Sequence, residues 1–272
     1  MIGRTLNLGN PVNRNHPLNR GLVSRWLTLQ GGGYYGGTRM LDLMGANHGT
    51  LTNGPTWQSA QGRPGGSGSL NFVQASGHYV DLGSCAHSGT EWSGGIWFKT
   101  SQNHTPTTIN LFGRAELGSY DWMIYLQSNA INLFWHDGAS ADNIQWNVTY
   151  SDNVWRHVFV TFNAGVATMY GDGVSVATKS SAVVSVRSVQ TVKIGRGWDA
   201  TYQGDADGAT IFNRAPSAPE VLALYNDSRL GSPDTLHWIR RPWLAQTAAA
   251  GNKLLLRMMS EGLYAGSGGN AV

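Results

Sequence analysis

Residues 155–179 read WRHVFVTFNAGVATMYGDGVSVATK. The runs Trp155 to Asn163, Val166 to Gly171 and Val174 to Lys179 are apolar or alternating, and short breaks separate them. Apolar side chains at every second position suit a strand with one buried face. Gly171-Asp172-Gly173 supplies residues that accept positive φ, which a tight hairpin turn requires. The stretch therefore predicts consecutive antiparallel strands with a hairpin at Asp172. Working outward, the same punctuation by Gly, Asn, Asp and Ser predicts further strands at 22–27, 69–72, 78–82, 95–100, 109–114, 122–127, 130–136, 144–149, 191–195 and 208–212. A chain of many short strands is an all-β antiparallel sandwich. A short helix is expected from Ser217-Ala218-Pro219-Glu220, where Ser217 caps, Pro219 fits the first turn and Glu220 returns the capping bond. Val221, Leu222, Leu224 and Tyr225 give that helix its apolar stripe.

Composition agrees. Charged residues make up 13% of the 272 residues while Gly numbers 36, a mixture suited to strands and turns rather than long helices. Hydrophobic residues at 41%, with 11 Trp, are enough for a large core. The net charge of +3 comes from scattered Lys and Arg without a single-sign block, which argues against nucleic acid as a partner. Cys85 stands alone, so neither an intramolecular disulfide nor a thiolate zinc site can form. The first residues lack the apolar core of a secretory signal, and no stretch is long and apolar enough for a membrane span. The expected organisation is an N-terminal extended arm over 1–20, a sandwich over 21–228 and a C-terminal extension over 229–272. That extension carries Trp238, Arg240, Arg241, Trp243, Leu254 and Met258. It is too short to bury these side chains by itself, so it is expected to dock on the sandwich or on another subunit.

The runs GLVSRWLTLQGGG, LDLMGANHGTLTNGPTW, SLNFVQASGHYVDLG, SGGIWFKTS, the stretch quoted above and IGRGWDATYQGDADGATIFNRAPSAPEVLALYN resemble, in order and spacing, the laminin-G-like jelly rolls of the concanavalin A-like superfamily. The resemblance covers about residues 20 to 227 and implies two antiparallel sheets with loops that bind sugars, proteins or calcium in relatives. HPLNRGLV near the start and RRPW near the end resemble stand-alone laminin-G-like proteins of bacteriophage and prophage gene sets. This implies a virion component, made in the host cytoplasm, whose terminal arms meet other virion proteins or copies of itself. The alternatives are a bacterial carbohydrate-binding or adhesion module and a divergent glycoside hydrolase.

Candidate sites follow. GDADGATIFNR resembles a last-strand motif in which relatives hold structural calcium, implicating Asp207, with Asp42 as its partner by family position; the competing reading is that both carboxylates cap turns. An aromatic face stacks on a pyranose while amides, carboxylates and imidazoles bond its hydroxyls. Trp135 and Trp146 with His136, Asp137 and Asn143, and Trp198 with Asp199, are the glycan-binding candidates, although most of the tryptophans are expected in the core. Hydrolases of this fold carry Glu-x-Asp-x-x-Glu on one strand, and no such motif occurs here. The histidines show no metal-binding spacing and no nucleophile elbow is present, so a non-catalytic protein is expected.

Overall fold

A computed structural model describes residues 12, 14–28, 37–58, 62–64, 68–85, 89–104, 107–116, 119–185, 191–197 and 200–229. The strands are β1 Leu22–Trp26, β2 Arg39–Met40, β3 Gly49–Thr52, β4 Thr56–Gln58, β5 Ser69–Phe72, β6 Tyr79–Asp81, β7 Glu91–Lys99 and β8 Ile109–Glu116. They continue with β9 Ser119–Gln127, β10 Ala130–His136, β11 Ala141–Asn147, β12 Arg156–Asn163, β13 Val166–Gly171, β14 Val174–Ser180, β15 Lys193–Ile194 and β16 Gly204–Phe212, followed by helix α1 Ala218–Arg229. The first sheet runs β14-β13-β12-β7-β16-β5-β4 with β1 also on β16, and the second runs β11-β10-β9-β8-β15-β6-β3-β2. All strand pairs between named strands are antiparallel, which makes the two sheets the expected jelly-roll sandwich.

The quoted stretch forms β12, β13 and β14, and the hairpin turns at Asp172 (φ 49°) and Gly173 (φ 84°). Between the sheets the core is built on aromatic contacts. Trp92 of the first sheet lies 4.6 Å from Trp122 of the second, and Phe162 meets Trp135 at 6.0 Å. Phe112 packs edge-on against both Trp122 and Trp26. On the central strand β7, Gly95 faces the opposite way, against β12. A Cβ there would stand 2.4 Å from Phe159 Cδ2 and 2.7 Å from the Val158 carbonyl, so only glycine allows this approach.

The outer face of the first sheet is closed by α1 and by the segment before β1. Val12 and Leu18 from the expected arm pack with Leu22, Phe159, Tyr170, Phe212, Val221 and Leu224. Residues Pro17–Asn19 form a single 3-10 turn, so this part of the arm is folded onto the sandwich. The returning half of the capping box forms at the helix start: Ser217 N–H donates to the Glu220 carboxylate, but Ser217 Oγ donates to the same carboxylate instead of accepting a helix N–H, and Glu220 also pairs with Arg214 at 2.9 Å. Tyr225 of α1 stacks on Trp97 at 5.4 Å, and His157 lies 5.0 Å from Trp97 and 5.8 Å from Tyr225. The His157 backbone N–H donates to Asp172, but ring Nδ1 has no hydrogen-bond partner. Burial, reinforced by nearby Arg63, lowers the His157 pKa to about 3. His104, likewise buried, is lowered to about 4.

Two expectations follow. Gly95→Ala should lower the urea midpoint at unchanged m-value by an amount equivalent to roughly 1–3 kcal/mol of overpacking; an unchanged midpoint would show that β12 yields freely. Because both imidazoles are neutral when folded and bind a proton when unfolded, stability is complete above about pH 6.5 and falls as pH drops toward 3, by up to about 1.4 kcal/mol per pH unit for each group. Urea titrations of the wild type and of His157→Phe between pH 7 and pH 4 should show the shallower acid loss in the variant, and equal slopes would refute this origin.

Candidate functional site on the outer face of the second sheet

Alternation sorts the glycan-binding candidates of the central hairpin. On β10, Leu133 and Trp135 point into the sandwich, while Phe134 and His136 point out; on β11, Ile144 and Trp146 point in and Asn143 points out. Trp135 is completely buried, so its expected stacking role is corrected: it is a core residue with no ring face for a sugar. Trp146 is half-buried and covers Gly171, where a Cβ would lie 2.3 Å from its ring. His136 Nδ1 accepts from Gly138 N–H at 2.7 Å, and Asp137 accepts from Ala139 and Ser140 N–H groups, shaping the turn between β10 and β11. These backbone bonds, led by that of Ser140, hold the Asp137 pKa below its usual value. Trp198 and Asp199, and Trp238, Arg240, Arg241, Trp243, Leu254 and Met258, lie outside the described residues.

The outward residues form a continuous row. Strand register places Asn143 beside Phe134, Phe134 beside Met123, Met123 beside Gly113, Gly113 beside Lys193, Lys193 beside Asp81, Asp81 beside Thr50 and Thr50 beside Arg39. The next row holds Gln145, Asn132, Tyr125 and Asn110. Met123, Tyr125 and Phe134 make a small apolar cluster separate from the main core. Burial raises the Tyr125 pKa, with a hydrogen bond between its phenol oxygen and the Asn143 side-chain amide opposing it. Met123, Asn110, Asn132, Tyr125 and Lys193 are buried, whereas Phe134, His136, Asn143, Gln145, Tyr79, Arg196, Asp81, Thr50 and Arg39 are half-buried or exposed on this face. Near its middle, Gly113 (φ 155°) leaves the floor low: a Cβ there would lie 2.5 Å from the Trp122 carbonyl. Tyr125, Asn132, Asn110 and Phe134 are absent from the sequence-derived candidates. The signal for them was the same alternation that predicts the strands, read for its polar and aromatic half instead of its apolar half.

The expected calcium ligands have other occupations. Asp42 is buried and accepts from the backbone N–H groups of Arg25, Met44, Ala46 and Asn47 and from Ser24 Oγ. Asp207 sits on the outer face of the first sheet, 2.8 Å from Arg63 Nε, and accepts from Thr28 N–H at 2.8 Å. Both carboxylates are thus ringed by hydrogen-bond donors, whereas calcium needs oxygen ligands. Among the described residues no group of three His, Cys, Asp or Glu side chains stands where it could hold a metal ion. The surroundings do not fit a calcium shared by Asp42 and Asp207, and the turn-capping reading describes Asp42 well. Asp205, on the same face as Asp207, pairs with Lys99 at 2.9 Å. Several further described carboxylates are likewise engaged: Asp152 pairs with Arg156, Asp142 with Lys179, Glu220 with Arg214, and Glu91 accepts from Ala215 N–H.

Comparison with known proteins places this geometry. The profile of the Concanavalin A-like lectin/glucanases superfamily matches residues 74–222, more than half of the chain. No curated protein matches the sequence. Among solved structures, the binding domain of Paraclostridial Mosquitocidal Protein 1 superposes with a TM-score of 0.61 at 17% identity, over 77% of this chain and 52% of that one. The binding domain of botulinum neurotoxin DC in complex with SialylT gives 0.58 at 14% identity, over 78% of this chain and 52% of that one. The same neurotoxin domain in complex with rat synaptotagmin II gives 0.58 at 14%, over 78% and 52%. The chain thus spans about half the length of these structures, and at such identities the likeness is one of fold.

Asp207→Ala should cost roughly 3–5 kcal/mol, because it removes the carboxylate that pairs with the buried Arg63 guanidinium. The loss should be the same in calcium and in EDTA. A wild-type melting temperature that rises with calcium, and a variant that does not respond, would restore the metal reading.

Proposed function

The chain belongs to the concanavalin A-like lectin/glucanase superfamily, and from that premise we propose that it is a non-catalytic binding module that takes a glycan on the outer face of its second sheet. The observation that carries this reading is the outward Phe134, with His136, Asn143 and Gln145 around it. The ring offers an apolar face, and the amides and imidazole offer hydroxyl partners. The opposite broad face is taken up by α1 and the segment before β1. Solved neighbours that are binding domains, one of them in complex with SialylT, support a binding role for this fold. The engaged carboxylates and the missing Glu-x-Asp-x-x-Glu motif argue against a glycosidase, which needs a free pair across the scissile bond.

The finer reading is that of a bacteriophage virion component, on the capsid or tail, that displays this module toward host or environmental glycans. The likeness of HPLNRGLV and RRPW to phage-associated laminin-G-like sequences supports it. In that setting the residues of the C-terminal extension would be the assembly contacts. Mass spectrometry of purified particles should find the chain at stoichiometric level; its recovery only from soluble cell fractions would favour a bacterial carbohydrate-binding or adhesion module.

On an array of immobilised glycans the full chain should bind a defined subset without releasing reducing sugar. Phe134→Ala should weaken that binding roughly three- to tenfold, the scale of one aromatic contact, with little change in melting temperature. Binding untouched by Phe134→Ala and Asn143→Ala would place the ligand elsewhere, and sugar release abolished by a single carboxylate substitution would make the protein an enzyme.

A further inference from the structure

The second sheet carries a basic feature that the glycan reading does not use. The Arg196 guanidinium carbon lies 4.8 Å from the centroid of the Tyr79 ring, and Lys193 Nζ lies 5.6 Å from the same ring. Like charges drawn to one ring repel each other, and Asp81, paired in register with Lys193, offsets only one of them. Lys193 is buried and Arg196 exposed, so the uncompensated charge is the one at the surface. Among the described residues no carboxylate forms an ion pair with Arg196.

The backbone under Arg196 is firmly held. Asn110 Nδ2 donates to the Arg196 carbonyl at 2.6 Å, Gly195 N–H donates to Leu111 O at 3.0 Å, and Tyr202 N–H donates to Gly195 O at 2.8 Å. Gly195 (φ 82°) packs on Phe72, where a Cβ would come within 2.9 Å, and a Cβ on Gly197 would meet Asn110 at 2.4 Å, so the turn lies tight against the sheet. Asn110 is buried, and its Oδ1 has no hydrogen-bond partner. A guanidinium stacked by its face on an aromatic ring keeps its N–H edge available, and that edge matches the two oxygens of a carboxylate or sulfate. Lys193 and Phe134 lie in one row across the sheet, separated by Gly113 and Met123. Three strand spacings make that roughly 14 Å, a distance an oligosaccharide spans.

We propose that Arg196, held over the Tyr79 ring and backed by Lys193, is the anion-recognition point of this face, and that the glycan it takes is acidic, bearing carboxylate or sulfate groups. This rests on the binding-module reading and adds to it the class of sugar. The sugar's apolar face would lie toward Phe134 and its anionic group toward Arg196.

The test uses the full chain and calorimetric titration with polygalacturonate (carboxylate), heparin (sulfate and carboxylate), dextran (neutral) and a single-stranded oligonucleotide. Binding to one or both acidic polysaccharides is expected, weakening with salt, and stronger than binding to dextran. Polygalacturonate against heparin tells which anion is preferred. Arg196→Ala should lose about tenfold in affinity, Arg196→Lys should recover only part of it, and the melting temperature should stay the same. Arg14→Ala, an exposed arginine far along the chain, serves as a control for overall basicity. An equal loss in Arg14→Ala, equal affinity for the oligonucleotide, or an Arg196→Ala protein that binds like wild type would overturn the proposal. Binding to dextran alone would overturn it while leaving the module reading intact, and failure to bind any of these or any arrayed glycan would remove both.

Discussion

The two-residue alternation of β9 and β10 is the constraint on which both the stability and the surface chemistry of this protein depend. Trp122 and Trp135 are locked between the sheets by Trp92, Phe112 and Phe162. Given those anchors, Met123, Tyr125, Phe134 and His136 must face outward. A slip of one residue would put two indoles in water and exchange the whole of the outer row for core side chains. The register that makes the core is therefore also the register that makes the candidate site, and neither can vary without the other.

The outer faces of the two sheets have different fates. On the first, Trp97, Phe159, Tyr170 and Phe212 are covered by Tyr225, Val221 and Leu224 of α1 and by Leu18 and Val12. The charges there, Lys99 with Asp205 and Arg63 with Asp207, neutralise one another. That face is spent on structure. The second carries outward amides, a small aromatic cluster and an arginine that, among the described residues, pairs with no carboxylate. Such a division suits a module that presents one broad face to its ligand and covers the other with α1 and the segment before β1.

Much of this was legible in the sequence, and the failures have physical causes. The hairpin at Asp172 was readable because only residues tolerant of positive φ close such a turn, and α1 because Ser217 and Glu220 lie at capping-box spacing. Strands β2, β3 and β4 escaped notice, since two to four residues carry too little alternation to register. Residue type alone makes Trp135 a sugar-stacking candidate, whereas parity puts it in the core and its neighbour Phe134 on the outside. Asp207 looked like a metal ligand because nothing in its local sequence announces Arg63, which reaches it from a distant part of the chain. The pairing of Tyr79 with Arg196 was likewise invisible, since only the order β8-β15-β6 brings those segments together.

A ligand that lands on the outer face of the second sheet must shield the strands beneath it. Hydrogen-exchange mass spectrometry of the full chain, with and without a saturating bound glycan, reads that shielding peptide by peptide. Exchange should slow in the peptides containing β9 to β11 and residues 193–197, with β12 to β14 and α1 unchanged. Protection confined to α1 and the outer face of the first sheet, with β9 to β11 unaffected, would contradict it.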